Sequence, residues 1–112
     1  MDLSAFKQSG VQVIRLKGKL TLGDAVDSFR TSLDQTLAAG ETRIVVNLSE
    51  VSMVDSSGIG VLVYYLTTTK QAGGAIRLVN PSKFTMQSLK TVGVLSLFEV
   101  FGNEEEAIAA FA

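Results

Sequence analysis

The stretch that decides the fold runs from Val45 to Leu62 and reads VVNLSEVSMVDSSGIGVL. It begins inside an apolar, largely β-branched run, residues 43–48, which predicts a strand; such runs suit a central parallel strand covered on both faces. A loop through Asp55 and Ser56 then leads into a helix predicted over 57–72. Functional groups of open α/β sheets gather where strands end and helices begin, so this loop is the first place to look for a site.

Strand and helix patterns alternate on both sides of this stretch. The predicted strands cover residues 2–8, 11–18, 75–80 and 97–101, and further helices cover 24–39 and begin near Pro81 and Asn103. The first two strands form a hairpin through Ser9-Gly10, with Gly10 at positive φ. The order β-β-α-β-α-β-α-β-α predicts an α/β fold, a mostly parallel mixed sheet of about five strands with about four helices and right-handed crossovers.

Helical spacing predicts which residues face the core. The predicted inner residues are Val26, Phe29, Leu33 and Leu37 in the first helix; Ile59, Leu62, Tyr65, Leu66 and Thr69 in the second; Met86, Leu89 and Val92 in the third; and Ile108 and Phe111 in the last. Asn103 is a good N-cap, and the three glutamates after it favour a first helical turn, not a metal site.

Composition excludes several classes of protein. With 112 residues, 46% of them hydrophobic, the chain is expected to form one compact domain over residues 1–112. A net charge of −1 argues against nucleic-acid and anionic-membrane partners. The sequence has no cysteine and no histidine, which removes thiol nucleophiles and the commonest base and metal ligand, so neither a metal nor a cofactor is expected. No signal peptide or membrane span is apparent, and a cytoplasmic protein is expected.

Gly58 and Gly60 stand out in the first turn of the predicted second helix. Each glycine inside a helix costs about 1 kcal/mol relative to alanine, so two of them need a reason. Their missing side chains allow close approach either by another part of the backbone or by a partner protein. Taken alone, Asp55 to Gly58 is also an ordinary capped turn, since Asp55, Ser56 and Ser57 are all competent N-cap residues.

The wider sequence resembles a known family. Asp55-Ser56-Ser57-Gly58-Ile59-Gly60 is similar to the D-S-[S/T]-G-[L/I]-G signature of the anti-sigma-factor antagonists, which are STAS domains. Gly18-Lys19-Leu20 matches the G-x-L that follows the second strand in that family. Asn47 to Val51 resembles its D-L-S-x-V, with asparagine in place of aspartate. The resemblance spans essentially the whole chain and implies a STAS-like fold.

The resemblance implies a phosphorylation switch without catalysis by this chain. The implied acceptor is Ser56, with Ser57 as the fallback, and the implied partner is an anti-sigma factor that is also a serine kinase. The unphosphorylated chain would bind that partner and release a sigma factor for transcription. Phosphorylation would end the binding, and a serine phosphatase would reset the chain.

The candidate partner-binding residues are those of the signature together with two further residues that the predicted topology places nearby. They are Asp55, Ser56, Ser57, Gly58, Ile59, Gly60, Asp24 and Met53. Asp55 can orient the serine for the kinase, contact the partner or simply cap the helix. Asp24 follows a loop that opens toward the same sheet edge, and Met53 can reach a partner groove or pack in the core.

Three other functions compete with this interpretation. An enzyme lacks support, because neither a nucleophile elbow nor a P-loop is present. A phosphoaspartate receiver would carry an acidic pair after its first strand, where this chain has Gly18-Lys19-Leu20. STAS domains also occur in stress-signalling assemblies, as accessory subunits of lipid-transport complexes and as appendages of anion transporters; the lack of a membrane span argues against the last for this chain, and the first two remain the third alternative. An intact D-S-S-G favours the switch over a purely structural subunit.

Overall fold

The computed structural model describes residues 1–111 and begins with an antiparallel hairpin. Strand β1, Asp2–Gln8, pairs with strand β2, Val11–Leu20, so that Gln8 lies opposite Val11. Two residues at positive φ, Ser9 at 53° and Gly10 at 76°, close the turn between them. Glycine adopts such angles without steric cost, and the predicted hairpin is confirmed.

The remaining strands and helices alternate along the chain. They are α1 (Asp24–Ala38), β3 (Arg43–Val54), α2 (Ser56–Gln71), β4 (Ala75–Val79), α3 (Lys83–Val92), β5 (Glu99–Phe101) and α4 (Glu104–Ala109). The sheet has the order β1-β2-β3-β4-β5, and every pair after the hairpin is parallel. The predicted fold class and element order are therefore confirmed.

Strand β3 is twice as long as the run of residues 43–48 that predicted it. Its second half pairs with the end of β2, where Lys19 lies opposite Met53 and Leu20 opposite Val54. Two register shifts in the β2–β3 pair accompany this extension, as bulges do when they adjust strand pairing. The extension carries the chain to the carboxyl edge of the sheet, directly before Asp55.

The sheet separates two cores. Helices α1, α2 and α3 cover one face, around Phe29, Leu62 and Leu89, which are fully buried. Helix α4 covers part of the other face, where Ala107 and Ile108 pack against valines of β2, β3 and β4. None of the helices within residues 1–111 combines the length and the apolar character that a membrane span requires.

Helix α3 departs from its predicted packing. Thr85 and Leu89 are its buried residues, Met86 is half-buried, and Val92 is exposed, so the prediction that Val92 faces the core is wrong. The reason lies in the segment that follows. Val94 and Leu95 pack against the main core after the helix ends. This segment also holds a 3₁₀ turn, Leu95–Leu97, so the last strand begins at Glu99 and not at Leu97.

Candidate functional site

Ser56 is the first residue of α2, at the carboxyl edge of the sheet. Strand β3 ends at Val54, so only Asp55 separates the buried strand from the helix. The side chain of Ser56 is exposed to solvent, whereas Ser57 is half-buried. The more accessible hydroxyl is therefore that of Ser56, at a helix end whose first N–H groups lack intrahelical partners.

Asp55 caps α2 and ties it to a second loop. Its Oδ1 accepts a hydrogen bond from the N–H of Gly58 at 2.9 Å, and its Oδ2 accepts one from the N–H of Leu22, also at 2.9 Å. The hydrogen bond from Leu22, followed by that from Gly58, lowers the pKa of the Asp55 carboxyl below its ordinary value. Hydrogen bonds to the charged form have this effect. Both oxygens are thus engaged by the chain's own backbone. Of the three roles considered for Asp55, this geometry agrees with that of a helix cap.

The loop between β2 and α1 lies beside Ser56 because of these contacts. The backbone N–H of Asp55 also donates to the carbonyl of Leu20 at 3.2 Å. The backbone N–H of Leu22 is held in this loop by its hydrogen bond to Asp55, while the apolar side chain of Leu22 is 78% exposed. Asp24 begins α1 immediately after the loop and is also exposed. The fold thus brings the loop before Asp24 to the same sheet edge as Ser56.

The two glycines of the signature play different parts. A Cβ on Gly58 would lie 2.7 Å from the carbonyl oxygen of Leu20 and 2.7 Å from Cγ1 of Val54, so Gly58 lets α2 approach its own sheet closely. A Cβ on Gly60 would meet nothing within 4 Å. Two reasons were considered for these glycines, and close approach by another part of the backbone is the one that applies to Gly58. Gly60, which is exposed, leaves the helix surface bare.

An apolar groove lies next to Ser56, between α2 and α3, and we call it the α2–α3 groove. It has a volume of about 370 Å³, and its lining includes Met53, Ile59, Phe84 and Val92. Phe84 and Val92 are 57% and 56% exposed, whereas Ile59 is buried. Sequence reasoning missed Phe84 and assigned Val92 to the core. A signal was available: the two residues are eight positions apart, two helical turns, and so share one face of α3.

A family model described as the STAS domain matches residues 3–107 of the chain. The chain belongs to the STAS domain family. Among curated relatives, the anti-sigma F factor antagonist of Lysinibacillus sphaericus is 33% identical over 97 residues, covering 86% of this chain and 81% of the relative. The anti-sigma F factor antagonist of Paenibacillus polymyxa is 26% identical over 100 residues, covering 88% and 85%.

Solved STAS structures agree with this assignment. The anti-sigma factor antagonist SpoIIAA in its unphosphorylated form is 27% identical and superposes with a TM-score of 0.86, covering 98% of this chain and 96% of that chain. The Bacillus cell fate determinant SpoIIAA in its phosphorylated form, also 27% identical, gives a TM-score of 0.80 with coverage of 99% and 100%. The STAS fold and the resemblance to anti-sigma factor antagonists are therefore confirmed.

The asparagine that departs from the STAS signature has a structural partner. The Nδ2 of Asn47 donates to Oε2 of Glu104 at 2.6 Å, and the guanidinium of Arg15 donates to both oxygens of Glu104 at 2.7 Å each. Hydrogen bonding to Arg15 is the main cause that lowers the pKa of Glu104 below its ordinary value. An aspartate at position 47 would face the Glu104 carboxylate instead. Glu104 thus clamps α4 to the sheet, a role that its place in a triple glutamate did not reveal.

The acidic residues that the structure describes do not form a metal-binding cluster. Within residues 1–111, no group of three or more histidine, cysteine, aspartate or glutamate side chains is placed to hold a metal ion. The site at the carboxyl edge combines the exposed hydroxyl of Ser56, an internally engaged carboxylate, exposed apolar side chains and an exposed glycine. Such an arrangement suits the binding of another protein and the modification of that hydroxyl.

Proposed function

We propose that this STAS domain is an anti-sigma factor antagonist, a cytoplasmic switch controlled by phosphorylation of Ser56. In its unphosphorylated form it sequesters an anti-sigma factor that is also a serine kinase, and a sigma factor is released for transcription. Phosphorylation ends the complex, and a serine phosphatase restores the binding form. The observation that carries the proposal is the exposed hydroxyl of Ser56 at the first position of α2, beside a surface rich in exposed apolar groups.

The relatives support the same assignment. Two of them bear the name anti-sigma F factor antagonist, and SpoIIAA, of similar fold, has been solved in a phosphorylated form. Ser57 remains the alternative acceptor, but its side chain is half-buried, and a kinase needs access to the hydroxyl. The binding surface that we propose consists of Asp24, Met53 and the signature residues 55–60, with Gly58 and Ile59 supporting it from below.

Phosphoryl transfer requires only a hydroxyl group from this chain. The Oγ of Ser56 forms a bond to the γ-phosphorus of ATP held by the kinase, the bond from that phosphorus to the bridging oxygen breaks, and ADP leaves. The proton of the hydroxyl passes to a base of the kinase. The product carries a charge of about −1.5 to −2, and the N–H groups at the start of α2 favour an anion there. Phosphorylation therefore leaves the domain folded and acts on the surface that the partner covers.

The acceptor assignment is tested with three proteins: the wild-type chain, Ser56→Ala and Ser57→Ala. Each is incubated with ATP and the purified serine-kinase anti-sigma factor of the same organism, and phosphate is located by mass spectrometry. We expect phosphate on the wild type and on Ser57→Ala, and none on Ser56→Ala, which should still bind the kinase. Phosphate that persists on Ser56→Ala would reject the site, and wild-type chain that is neither bound nor phosphorylated would reject the function.

A further inference from the structure

We propose that the α2–α3 groove receives apolar side chains of the anti-sigma factor, and that a phosphate on Ser56 blocks binding because a closed interface would bury its charge. The inference rests on the proposed function and adds to it the chemistry of the contact and the physical basis of the switch. It depends on the shape of the groove, on the absence of free charge in it, and on the position of Ser56 at its rim.

The shape of the groove suits large side chains. Phe84 and Val92 stand on one face of α3, with Ser88 midway between them, one turn from each. The small serine leaves a space between two apolar side chains, and Met53 also lines this space. At about 370 Å³ the space lies within the range of pockets that hold small molecules, about 300 to 1,000 Å³, which is enough for one or two leucine-sized side chains.

The groove offers no free charge to an incoming group. Of the residues that the structure describes as its lining, only Asp55 is ionisable, and both of its carboxylate oxygens accept backbone hydrogen bonds. A charged occupant would lose its water and find no opposite charge, which is unfavourable; the other polar lining residues, Ser56, Gln87, Ser88 and Thr91, are neutral, and most of the lining surface is apolar. The complement of this surface is therefore an apolar side chain. Exposed apolar residues grouped in this way are typical of binding sites.

Ser56 lies at the rim of the same groove and is itself exposed. A partner that fills the groove excludes water from its rim, so a phosphate on Ser56 would be taken out of water beside the carboxylate of Asp55. Among the described residues that line the groove, none has a cationic side chain to pair with it. The N–H groups of Ser57 and Gly58 at the start of α2 already donate to Asp55, so they compensate the phosphate only in part. Burial of a charge that lacks a cationic partner is costly, and this cost is little affected by salt, unlike repulsion between charges separated by water. The switch thus works by desolvation.

The first arm of the test concerns the contact. Binding of wild type, Phe84→Ser, Val92→Ser and the control Tyr64→Ser to the purified anti-sigma factor kinase is measured by calorimetry with ADP, so that no phosphoryl transfer occurs. Tyr64 is 60% exposed, close to the value for Phe84, and does not line the groove. Truncation of a central apolar contact should weaken the affinity by about tenfold or more. The Tyr64→Ser affinity should stay within about twofold of the wild-type value.

The outcomes separate this inference from the proposed function. If the wild type binds but the two groove variants bind equally well, the groove contact is wrong while the proposed function stands. If the wild type does not bind the kinase, the proposed function itself fails. Thermal unfolding of each variant accompanies the measurement, and a loss of affinity with an unchanged midpoint supports a surface role.

The second arm concerns the switch and compares Ser56→Glu with Ser56→Gln, two side chains of nearly equal size. The affinity of each variant is measured at about 50 mM and about 500 mM salt, conditions that differ strongly in screening. Desolvation predicts that Ser56→Glu binds about tenfold more weakly than Ser56→Gln at both concentrations. Equal affinities would indicate that bulk alone blocks binding, and a difference that disappears at high salt would indicate long-range repulsion; either result overturns the proposed basis of the switch.

Discussion

The carboxylate of Asp55 accepts a hydrogen bond from the N–H of Leu22, 33 residues earlier in the chain, at 2.9 Å, and its other oxygen accepts one from Gly58. One side chain therefore fixes both the start of α2 and the loop that precedes α1. These two segments flank the exposed hydroxyl of Ser56. The geometry makes Asp55 an organiser of the proposed binding surface, because its oxygens are already used within the domain.

Replacement of this carboxylate should lower the stability of the fold. Asp55→Asn substitutes an amide NH₂, which cannot accept, for one of the two accepting oxygens. Loss of an N-cap acceptor or of a hydrogen bond to a charged group costs about 1–2 kcal/mol. We expect a loss of that size in the free energy of unfolding in urea. The matched control is Asp24→Asn, at an exposed residue with no side-chain cap bond; an equal loss in both variants would contradict the role given to Asp55.

Stability should also depend on pH through the same group. The pKa of Asp55 is lower in the folded chain than its ordinary value, so its contribution is complete above the unfolded pKa of about 3.9 and is lost as the pH falls through the folded pKa. The pKa of Glu104 is also lowered in the folded chain, so its contribution to stability is likewise lost as the pH falls. Unfolding free energies measured from about pH 7 to about pH 2 should therefore fall less steeply for Asp55→Asn than for the wild type. Parallel curves for the two proteins would refute the assignment.

The two glycines of α2 should respond in opposite ways to alanine. At Gly58 the new methyl group would meet the carbonyl of Leu20 at 2.7 Å, and overpacking of this kind costs about 1–3 kcal/mol. At Gly60 there is open space, and alanine in place of a helical glycine should add about 0.5–1 kcal/mol. Thermal unfolding of Gly58→Ala and Gly60→Ala decides the matter. A destabilised Gly60→Ala would mean that the helix is more crowded there than the structure indicates.

The clamp on α4 gives a prediction far from Ser56. Asn47→Asp would replace the donor to Glu104 with a carboxylate and leave two like charges in contact. We expect a loss of about 1–2 kcal/mol at neutral pH, since a hydrogen bond to a charged group is exchanged for repulsion. The double variant Asn47→Asp with Glu104→Gln, in which glutamine can donate, should recover part of the loss. Unchanged unfolding of Asn47→Asp would show that the contact contributes nothing.

Local patterns predicted most of the fold from sequence. The stripe of Val26, Phe29 and Leu33 and that of Ile59, Leu62 and Leu66 are buried as their helical spacing indicates. Asn103 caps α4 by accepting from the N–H of Glu106 at 2.9 Å. Patterns of this kind succeed because each depends on residues within about two helical turns, where the periodicity of the chain decides burial.

Features that depend on distant residues were not predictable in this way. Strand β3 continues through the polar Ser49, Glu50 and Ser52 because β2 offers it a partner, which no local pattern states. Val92 has the spacing of a core residue but is exposed, whereas Val94 and Leu95, which follow the helix, pack against the core. The contact of Arg15 with Glu104 joins residues 89 positions apart. At the site, the signature pointed to Ser56, whereas the groove at Phe84 emerges only when α3 packs beside α2.

The most direct test of the account compares binding before and after phosphorylation. The unphosphorylated chain and the same chain phosphorylated quantitatively on Ser56 are titrated into the purified anti-sigma factor kinase with ADP, and their thermal unfolding is recorded in parallel. The account predicts a tight complex for the unphosphorylated chain, a loss of affinity of at least about a hundredfold on phosphorylation, and a nearly unchanged midpoint of unfolding. Equal affinity of the two forms for the kinase would contradict it.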